Sequence, residues 1–390
     1  MSNSIVDSSA QSFTELPPLS LYIHIPWCIK KCPYCDFNSH TYEAELPEQA
    51  YIRALITDLE HELIHVQGRS LKSIFFGGGT PSLFSADAIG QILAAVEKRI
   101  SFSPAIEITL EANPGTAEAK KFADFKHAGI NRLSIGVQSF DDRQLKKLGR
   151  IHDSHEAINA VEFAKRAGIN NFNIDLMHGL ESQTQQHARN DLQQAISLGA
   201  THISWYQLTI EANTLFYKAP PPLPNDEKLA DIQDSGEAVL TTSNFQQYEV
   251  SAFAQAGKQS QHNLNYWQFG DYIALGAGAH GKITNLKQQA IFRYSKTRSP
   301  KDYLSSNIQT IPSLNLVPAE DLALEFMMNN LRLNDGFLAK YYTQRTGLPF
   351  DGIDDKVQQL ITKGLLIRQG ERIKPSKQGH YFLNSMLEYF

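Results

Sequence analysis

Residues 20–37 read Ser20-Leu21-Tyr22-Ile23-His24-Ile25-Pro26-Trp27-Cys28-Ile29-Lys30-Lys31-Cys32-Pro33-Tyr34-Cys35-Asp36-Phe37. The stretch opens as a short β-rich run, Leu21–Ile25, and breaks at Pro26 into a loop carrying Cys28, Cys32 and Cys35. These are the only 3 cysteines among 390 residues. An odd number crowded into one loop is a poor disulfide framework, and no other thiol exists to pair with them. The pattern predicts a reducing compartment and a metal site. The loop follows a first strand directly, and in parallel α/β folds sites are built at the C-terminal ends of strands.

The spacing C-x3-C-x2-C lets one loop wrap three thiolates around one small object. Iron–sulfur clusters are held by thiolates, usually four. With three, a 4Fe–4S cluster keeps one iron free of protein cysteine, open to a small chelating ligand. A structural zinc completed by His24, Asp36 or His40 is an alternative, although such sites usually show two C-x2-C pairs. A thioredoxin-type redox pair would leave the third cysteine idle.

Outward from this loop the chain alternates strand and helix. β-rich runs at Leu21–Ile25, Ser73–Phe76, Ile106–Leu110, Arg132–Val137, Phe172–Leu176 and His202–Leu208 are separated by helical patterns such as Gln49–Val66, Ala86–Arg99, Glu156–Ala167 and Gln185–Leu198. Gly129, Gly168 and Gly199 stand where helices must end in a left-handed residue. Six βα units in series predict a parallel sheet covered by helices, either barrel or open doubly wound sheet. Residues 1–17 read as a loose polar tail and 18–215 as the main α/β repeat. The proline run Lys218–Asn225 ends that repeat, so 216–317 reads as a linker and an extension. Within it, Asp226–Thr242 is helical, Asp271–His280 is a strand entering a Gly-rich turn, and Asn285–Val317 is irregular. From Pro318, helices at Glu320–Leu333, Phe337–Thr346 and Asp354–Gly364, a hairpin at Leu365–Ile373 and a last helix ending at Phe390 predict a winged-helix-like domain over 318–390. Its hairpin carries few basic residues, which favours packing over nucleic-acid binding.

Composition agrees. Hydrophobic residues make up 42% and charged residues 20%, and the net charge is −5. That balance suits a globular protein and argues against a general nucleic-acid binder. No run of about 18 apolar residues exists to span a membrane. No Lys or Arg precedes Lys30, so the n-region of a signal peptide is not seen and a cytoplasmic location is expected. Tyr381-Phe382-Leu383 and Met386–Phe390 are apolar enough to dock weakly on a membrane or, more commonly, on the protein's own core.

Further polar residues recur at the ends of successive predicted strands. Gly77-Gly78-Gly79-Thr80-Pro81 follows the second, Glu111 ends the third, Gln138 ends the fourth, Arg150 follows a short helix, and Asp175 lies in the fifth. Each alone is equally a satisfied buried group or a surface charge. Their recurrence at strand ends points to one pocket. There, backbone without side chains can approach a ligand closely, a carboxylate can take an ammonium or ribose hydroxyls, and Arg can take a carboxylate in a fork.

The cysteine loop together with these positions resembles the radical S-adenosylmethionine (SAM) family, and within it the oxygen-independent coproporphyrinogen III oxidase branch, over roughly residues 20–390. The resemblance implies a partial (β/α)6 TIM-type barrel with a C-terminal helical, winged-helix-like domain. It implies a 4Fe–4S cluster on Cys28, Cys32 and Cys35, with SAM chelating the open iron and yielding a 5′-deoxyadenosyl radical on reduction. It assigns Tyr22 and Glu111 to SAM contact, Gly78, Gly79 and Thr80 to a glycine strip, and Tyr34 to the cluster's side. Gln138, Arg150 and Asp175 fall to the same pocket or to a second SAM.

The branch holds oxidases and haem chaperones. Oxidases carry a fourth cysteine where this chain has Phe37, and a longer arm before the first strand, where only 20 residues precede Leu21 here. The chaperones are similar to this chain at Cys35-Asp36-Phe37 and at His262-Asn263-Leu264-Asn265-Tyr266-Trp267. His262 is suited to axial haem ligation, and Tyr266 and Trp267 offer flat apolar faces to a porphyrin. By residue type alone, the same three are as readily a turn-capping histidine and two core aromatics. On this resemblance the extension within 216–317 is expected to bind porphyrin or haem. The expected function is haem binding and delivery to acceptor haemoproteins of respiration, with cluster-dependent dimers plausible for the family. The alternatives are oxidative decarboxylation of the propionates of coproporphyrinogen III, and a zinc-stabilised binding module without redox chemistry.

Overall fold

The computed structural model describes residues 11–42, 45–115, 120–305 and 313–390. Its centre is a parallel sheet built from the six predicted strands, β1 (Leu19–Ile25), β2 (Leu71–Gly78), β3 (Phe102–Ala112), β4 (Arg132–Gln138), β5 (Phe172–His178) and β6 (His202–Gln207). Neighbours in sequence are neighbours in the sheet. The sheet continues through β7 (Gln246–Glu249), β8 (Ala252–Ala254), β9 (Asp271–Leu275), β10 (His280–Asn285), β11 (Ala290–Ser295) and β12 (Asn315–Leu316), giving the order β12-β11-β10-β9-β1-β2-β3-β4-β5-β6-β8-β7. Its edge strands β12 and β7 do not pair, so the barrel is partial.

Side-chain alternation explains how this sheet makes a site. Leu21, Ile23, Ile74, Phe76, Ile108, Leu110, Leu133, Ile135, Ile174 and Ile203 are buried in the main core. The alternate positions form a mostly polar inner face. Ser20 pairs in register with Ser73, Ser73 with Glu107, Thr109 with Arg132, Ser134 with Asn173, and Asn173 with His202. Hydrogen bonds satisfy much of this interior: Ser20 to Ser73 at 2.8 Å, Asn173 Nδ2 to Ser134 Oγ at 2.8 Å, and His202 to Asn173 Oδ1 at 2.7 Å. Helices Glu48–Val66, Ala86–Glu97, Ser154–Arg166 and Gln185–Ser197 cover the outer face within one or two residues of their predicted bounds.

Three sequence expectations change. First, β9 pairs in parallel with β1, so Asp271–Leu275 is a seventh strand of the parallel run rather than part of a linker. Second, the stretch read as irregular carries β11, β12 and the helix Pro300–Ser305. Its polar residues conceal a structural role. Lys296 Nζ lies 2.5 Å from both Asp58 Oδ1 and Glu62 Oε1, all three buried. Asp58 also accepts from Tyr303 Oη at 2.8 Å and the Gly276 N–H at 3.2 Å. In a second set the half-buried Arg69, just after the same helix, and the buried Lys282 pair with the buried Asp271, joining that helix to β9 and β10. Third, part of the tail is anchored. Phe13 is buried in the C-terminal core, and Ser12 N–H donates to the Gly347 carbonyl at 2.7 Å; residues 1–10 lie outside the described residues.

The C-terminal domain packs helices Leu322–Asn330, Ala339–Thr346 and Asp351–Thr362 against a small sheet of Phe337–Leu338, Leu366–Gln369 and Arg372–Pro375, as a winged-helix-like unit does. The last predicted helix is two short ones, Lys377–Tyr381 and Leu383–Leu387. Met386 is buried in the domain's own core, while Tyr381 and Phe382 stay exposed. No helix among the described residues is long and apolar enough to cross a membrane.

Removing Lys296 strands two buried carboxylates. Lys296→Met is therefore expected to destabilise the protein by about 3–5 kcal/mol, read from denaturant unfolding. A second prediction follows from the interior histidines. Burial lowers His262 from 6.5 to about 3 and His178 from 6.5 to about 4. Between these values and 6.5 the unfolded chain binds more protons, so their contribution is complete above about pH 6.5 and is lost as pH falls. The raised carboxyls of the interior titrate with the opposite sign, so the histidine share is isolated by substitution. His178→Phe should lessen whatever stability is lost between pH 7.5 and pH 5, read from denaturant unfolding of both proteins at both pH values.

Candidate functional site

The cysteine loop is shaped by backbone pairing at its two ends. Trp27–Cys28 and His40–Thr41 form a short parallel ladder, closing residues 28–41 on themselves. The Trp27 carbonyl accepts the Thr80 N–H at 2.7 Å, and the Ile25 carbonyl accepts the Gly79 N–H at 2.8 Å. A Cβ on Gly79 would stand 2.4 Å from the Trp27 oxygen, and one on Gly78, at φ +118°, 2.6 Å from the His24 ring. The glycine run thus admits the cysteine loop itself against β2.

Within the loop the Cys35 N–H donates to the Cys32 carbonyl at 3.1 Å, a turn that brings these two thiols to one side. All three thiols are free and line one cavity of about 250 Å³ at the C-terminal ends of the parallel strands. Tyr34, Gly78, Gly79, Thr80, Glu111, Gln138, Arg150 and Asp175 line it too. Tyr22 alone of the predicted set is absent from that wall, and lines an adjoining cavity instead.

The electrostatics of the cavity suit a ligand bearing both charges. Burial first, then the neighbouring Asp175 charge, pushes Glu111 up to about 8, against the lowering effect of the Gly78 N–H that it accepts at 3.1 Å. Burial likewise raises Asp175, opposed by hydrogen bonds from Asn173 at 2.7 Å and Ser134 at 3.1 Å. Two carboxyls held up in this way are relieved by a cationic ligand. Arg150 supplies the opposite charge. Its guanidinium donates to Asn113 Oδ1 at 2.6 Å, to the Gly136 carbonyl at 2.7 Å and to Cys32 Sγ at 3.6 Å. Gln138 has φ +71° beside an irregularity in the β4–β5 ladder, and accepts from Tyr206 Oη at 2.6 Å. Non-glycine strain of this kind concentrates at functional sites.

The donor set fits an iron–sulfur cluster with a chelating ligand: three free thiols and two carboxyls line one cavity, with an arginine beside the Cys32 thiol. Two cavity residues were missed from sequence. Asn113 orients Arg150 and donates to Thr80 Oγ1 at 2.9 Å. Tyr206 ends β6 and obeys the same strand-end rule that singled out Glu111 and Gln138.

The second cavity, about 570 Å³, shares Phe37, Gly78 and Glu111 with the first. Tyr22, Tyr266, Tyr272, His280 and Arg298 complete much of its wall. The predicted haem residues do not converge there. Tyr266 lines the cavity, but His262 is buried one aromatic layer beneath. Its Nδ1 bonds Ser73 Oγ at 2.8 Å, and its ring is stacked on Phe75 with Tyr22 and Tyr266 alongside. Trp267 carries the Arg332 guanidinium over its face at 4.3 Å. On helix Gln261–Trp267, His262 and Tyr266 are one turn apart on the same face, their rings 4.9 Å apart, while Trp267 points away from them to Arg332.

Comparisons with known proteins agree with this geometry. The Radical SAM superfamily profile matches residues 22–195, and the HemN C-terminal domain profile matches 317–382. "Heme chaperone HemW" of Haemophilus influenzae is 50% identical over 380 residues, covering 96% of this chain and 98% of that protein. "Heme chaperone HemW" of Bacillus subtilis is 33% identical over 377 residues, covering 95% and 98%. "Radical S-adenosyl methionine domain-containing protein 1, mitochondrial" of Bos taurus is 34% identical over 382 residues, covering 94% and 86%. Coproporphyrinogen III oxidase (HemN) from Escherichia coli shares the fold, with a TM-score of 0.79 at 21% identity over 96% of this chain and 90% of that one. On this extent of similarity and this fold, the chain belongs to the HemW family of the radical SAM superfamily.

Proposed function

We propose that the chain is a cytoplasmic haem chaperone that holds haem beside a cluster-and-SAM site and passes it to acceptor haemoproteins such as respiratory enzymes. The observation that carries this reading is the second cavity, which shares a wall with the thiol cavity and is lined by Phe37 and three tyrosines. Its volume lies within the range of about 300–1,000 Å³ usual for pockets taking ligands of this size. Aromatic faces suit a porphyrin's apolar plane, and tyrosine hydroxyls suit its polar edge. The names of the relatives point the same way.

In this reading Cys28, Cys32 and Cys35 hold a 4Fe–4S cluster, which when bound supplies an electron and, with SAM, radical chemistry. Glu111 and Asp175 receive the positive end of SAM, and Arg150 its carboxylate. Gly78, Gly79, Thr80, Gln138, Tyr34 and Tyr22 shape the space around it. Tyr266 belongs to the haem wall, while His262 and Trp267 anchor the helix that carries it. Phe37, 62% exposed where the oxidases carry a fourth cysteine, offers the haem an apolar contact.

Two outcomes test this. Anaerobically prepared protein should bind haem with a shifted Soret band and leave coproporphyrinogen III unchanged in the presence of reductant and SAM. Formation of protoporphyrinogen would overturn the reading in favour of oxidative decarboxylation. Separately, Cys32→Ala and Cys35→Ala should each abolish bound iron and sulfide. Glu111→Gln should keep the iron but weaken SAM binding roughly ten- to hundredfold, as loss of a charged hydrogen bond does. Retained SAM affinity in Glu111→Gln would remove that residue from the pocket.

A further inference from the structure

Axial ligation of haem needs a neutral imidazole with an unshared ring nitrogen facing the porphyrin. Of the histidines at the second cavity, His24 has both nitrogens engaged, Nδ1 with Tyr22 Oη at 3.0 Å and Nε2 with the Asn38 carbonyl at 2.8 Å. His262 lies beneath the wall. Its Nδ1 is held by Ser73 and its Nε2 is unshared, but the ring is fully buried and packed among Tyr22, Phe75 and Tyr266, so those rings would have to part before an iron could reach it. His280 differs from both. It lines the cavity, its side chain is exposed, and it makes no side-chain hydrogen bond or ion pair among the described residues.

Its position is fixed by backbone rather than by side-chain bonds. His280 opens β10 in register with Ser295. At the next position, a Cβ on Gly281 would lie 2.2 Å from the Tyr294 ring, so only glycine lets the strand settle on that ring. Asn38, from the cysteine loop, donates to the Ala277 carbonyl at 3.0 Å and to the Arg298 carbonyl at 2.9 Å. One side chain thus ties the loop before His280 and the residue Arg298 to the cluster loop. Arg298 lines the same cavity, and its guanidinium is exposed at the rim.

We propose that His280 is the axial haem ligand of this chain and that Arg298 pairs with a haem propionate. The assignment rests on the haem-chaperone reading and deepens it. A ligand at one edge of the cavity and a cation at its rim orient a flat molecule that aromatic walls alone would leave free to rotate. The iron then sits beside the loop that carries Cys35, Asp36 and Phe37, joined to it through Asn38.

The test is haem titration of the full-length protein and of His280→Ala, His262→Ala and Arg298→Gln. Each is followed by Soret absorption and electron paramagnetic resonance, with thermal unfolding to confirm folding. His280→Ala should lose the wild-type spectrum and bind at least about tenfold more weakly, and added imidazole should restore the spectrum. His262→Ala should keep the wild-type spectrum, and Arg298→Gln should keep the spectrum with weakened affinity. A wild-type spectrum in His280→Ala, or its loss in a folded His262→Ala, overturns the assignment and leaves haem binding standing. Absence of any shifted band in the wild-type protein overturns the haem reading itself.

Discussion

The Trp27 carbonyl accepts the Thr80 N–H at 2.7 Å, and any side chain at Gly79 would drive a Cβ to 2.4 Å from that same oxygen. This close passage of two backbones holds the cysteine loop over the mouth of the sheet. Everything that makes the cavity depends on it. The thiols share a cavity with Glu111 and Arg150 because the start of the loop is held to Gly79 and Thr80 by the Ile25 and Trp27 carbonyls, while the pairing of Trp27–Cys28 with His40–Thr41 closes the loop on itself. A loop fixed at both ends by main-chain hydrogen bonds needs little help from its side chains, which are left free for ligands.

Around this point the interior is arranged by alternation. One face of the parallel strands is apolar and lies under helices; the other is polar and satisfied by neighbours across the sheet. The polar interior explains why charged groups can stand at its open end with shifted proton affinities. Glu111 and Asp175 sit where water is scarce and like charge is near, while Arg150 is held by Asn113 and Gly136. The second cavity owes its far wall to β9 and β10: Arg69, just after the first helix, and Lys282 both pair with Asp271, while Lys296, just after β11, pairs with Asp58 and Glu62 of that helix. Buried ion sets of this kind add little net stability but penalise any other arrangement. They therefore bear on where His280 and Arg298 stand.

Much of the first cavity was legible in the chain. Cys28, Cys32 and Cys35 are close in sequence, and Glu111, Gln138 and Asp175 are polar residues at or near strand ends, a signal that periodicity exposes directly. Asn113 and Tyr206 carry the same signal and could have been found by applying it to every strand. The second cavity was not legible. Arg298 comes from the stretch read as irregular, and Tyr272 and His280, although on a strand and turn read from sequence, reach the cavity only through the pairing of β9 with β1 across some 250 residues of chain. The H-N-x-x-Y-W motif reads as one ligand set in sequence, yet only Tyr266 lines the cavity, with His262 packed against it from beneath and Trp267 turned to Arg332.

By itself, then, the sequence determined the βα repeat, the three-thiol loop at the end of the first strand, and the want of a fourth cysteine at Phe37. These are properties of local spacing and residue type, and they survive any arrangement of the rest. Only the tertiary structure decided which side chains share a cavity and which histidine faces it. Those outcomes turn on strand register and on buried contacts such as Lys296 with Asp58, between residues 238 positions apart, which no local pattern encodes.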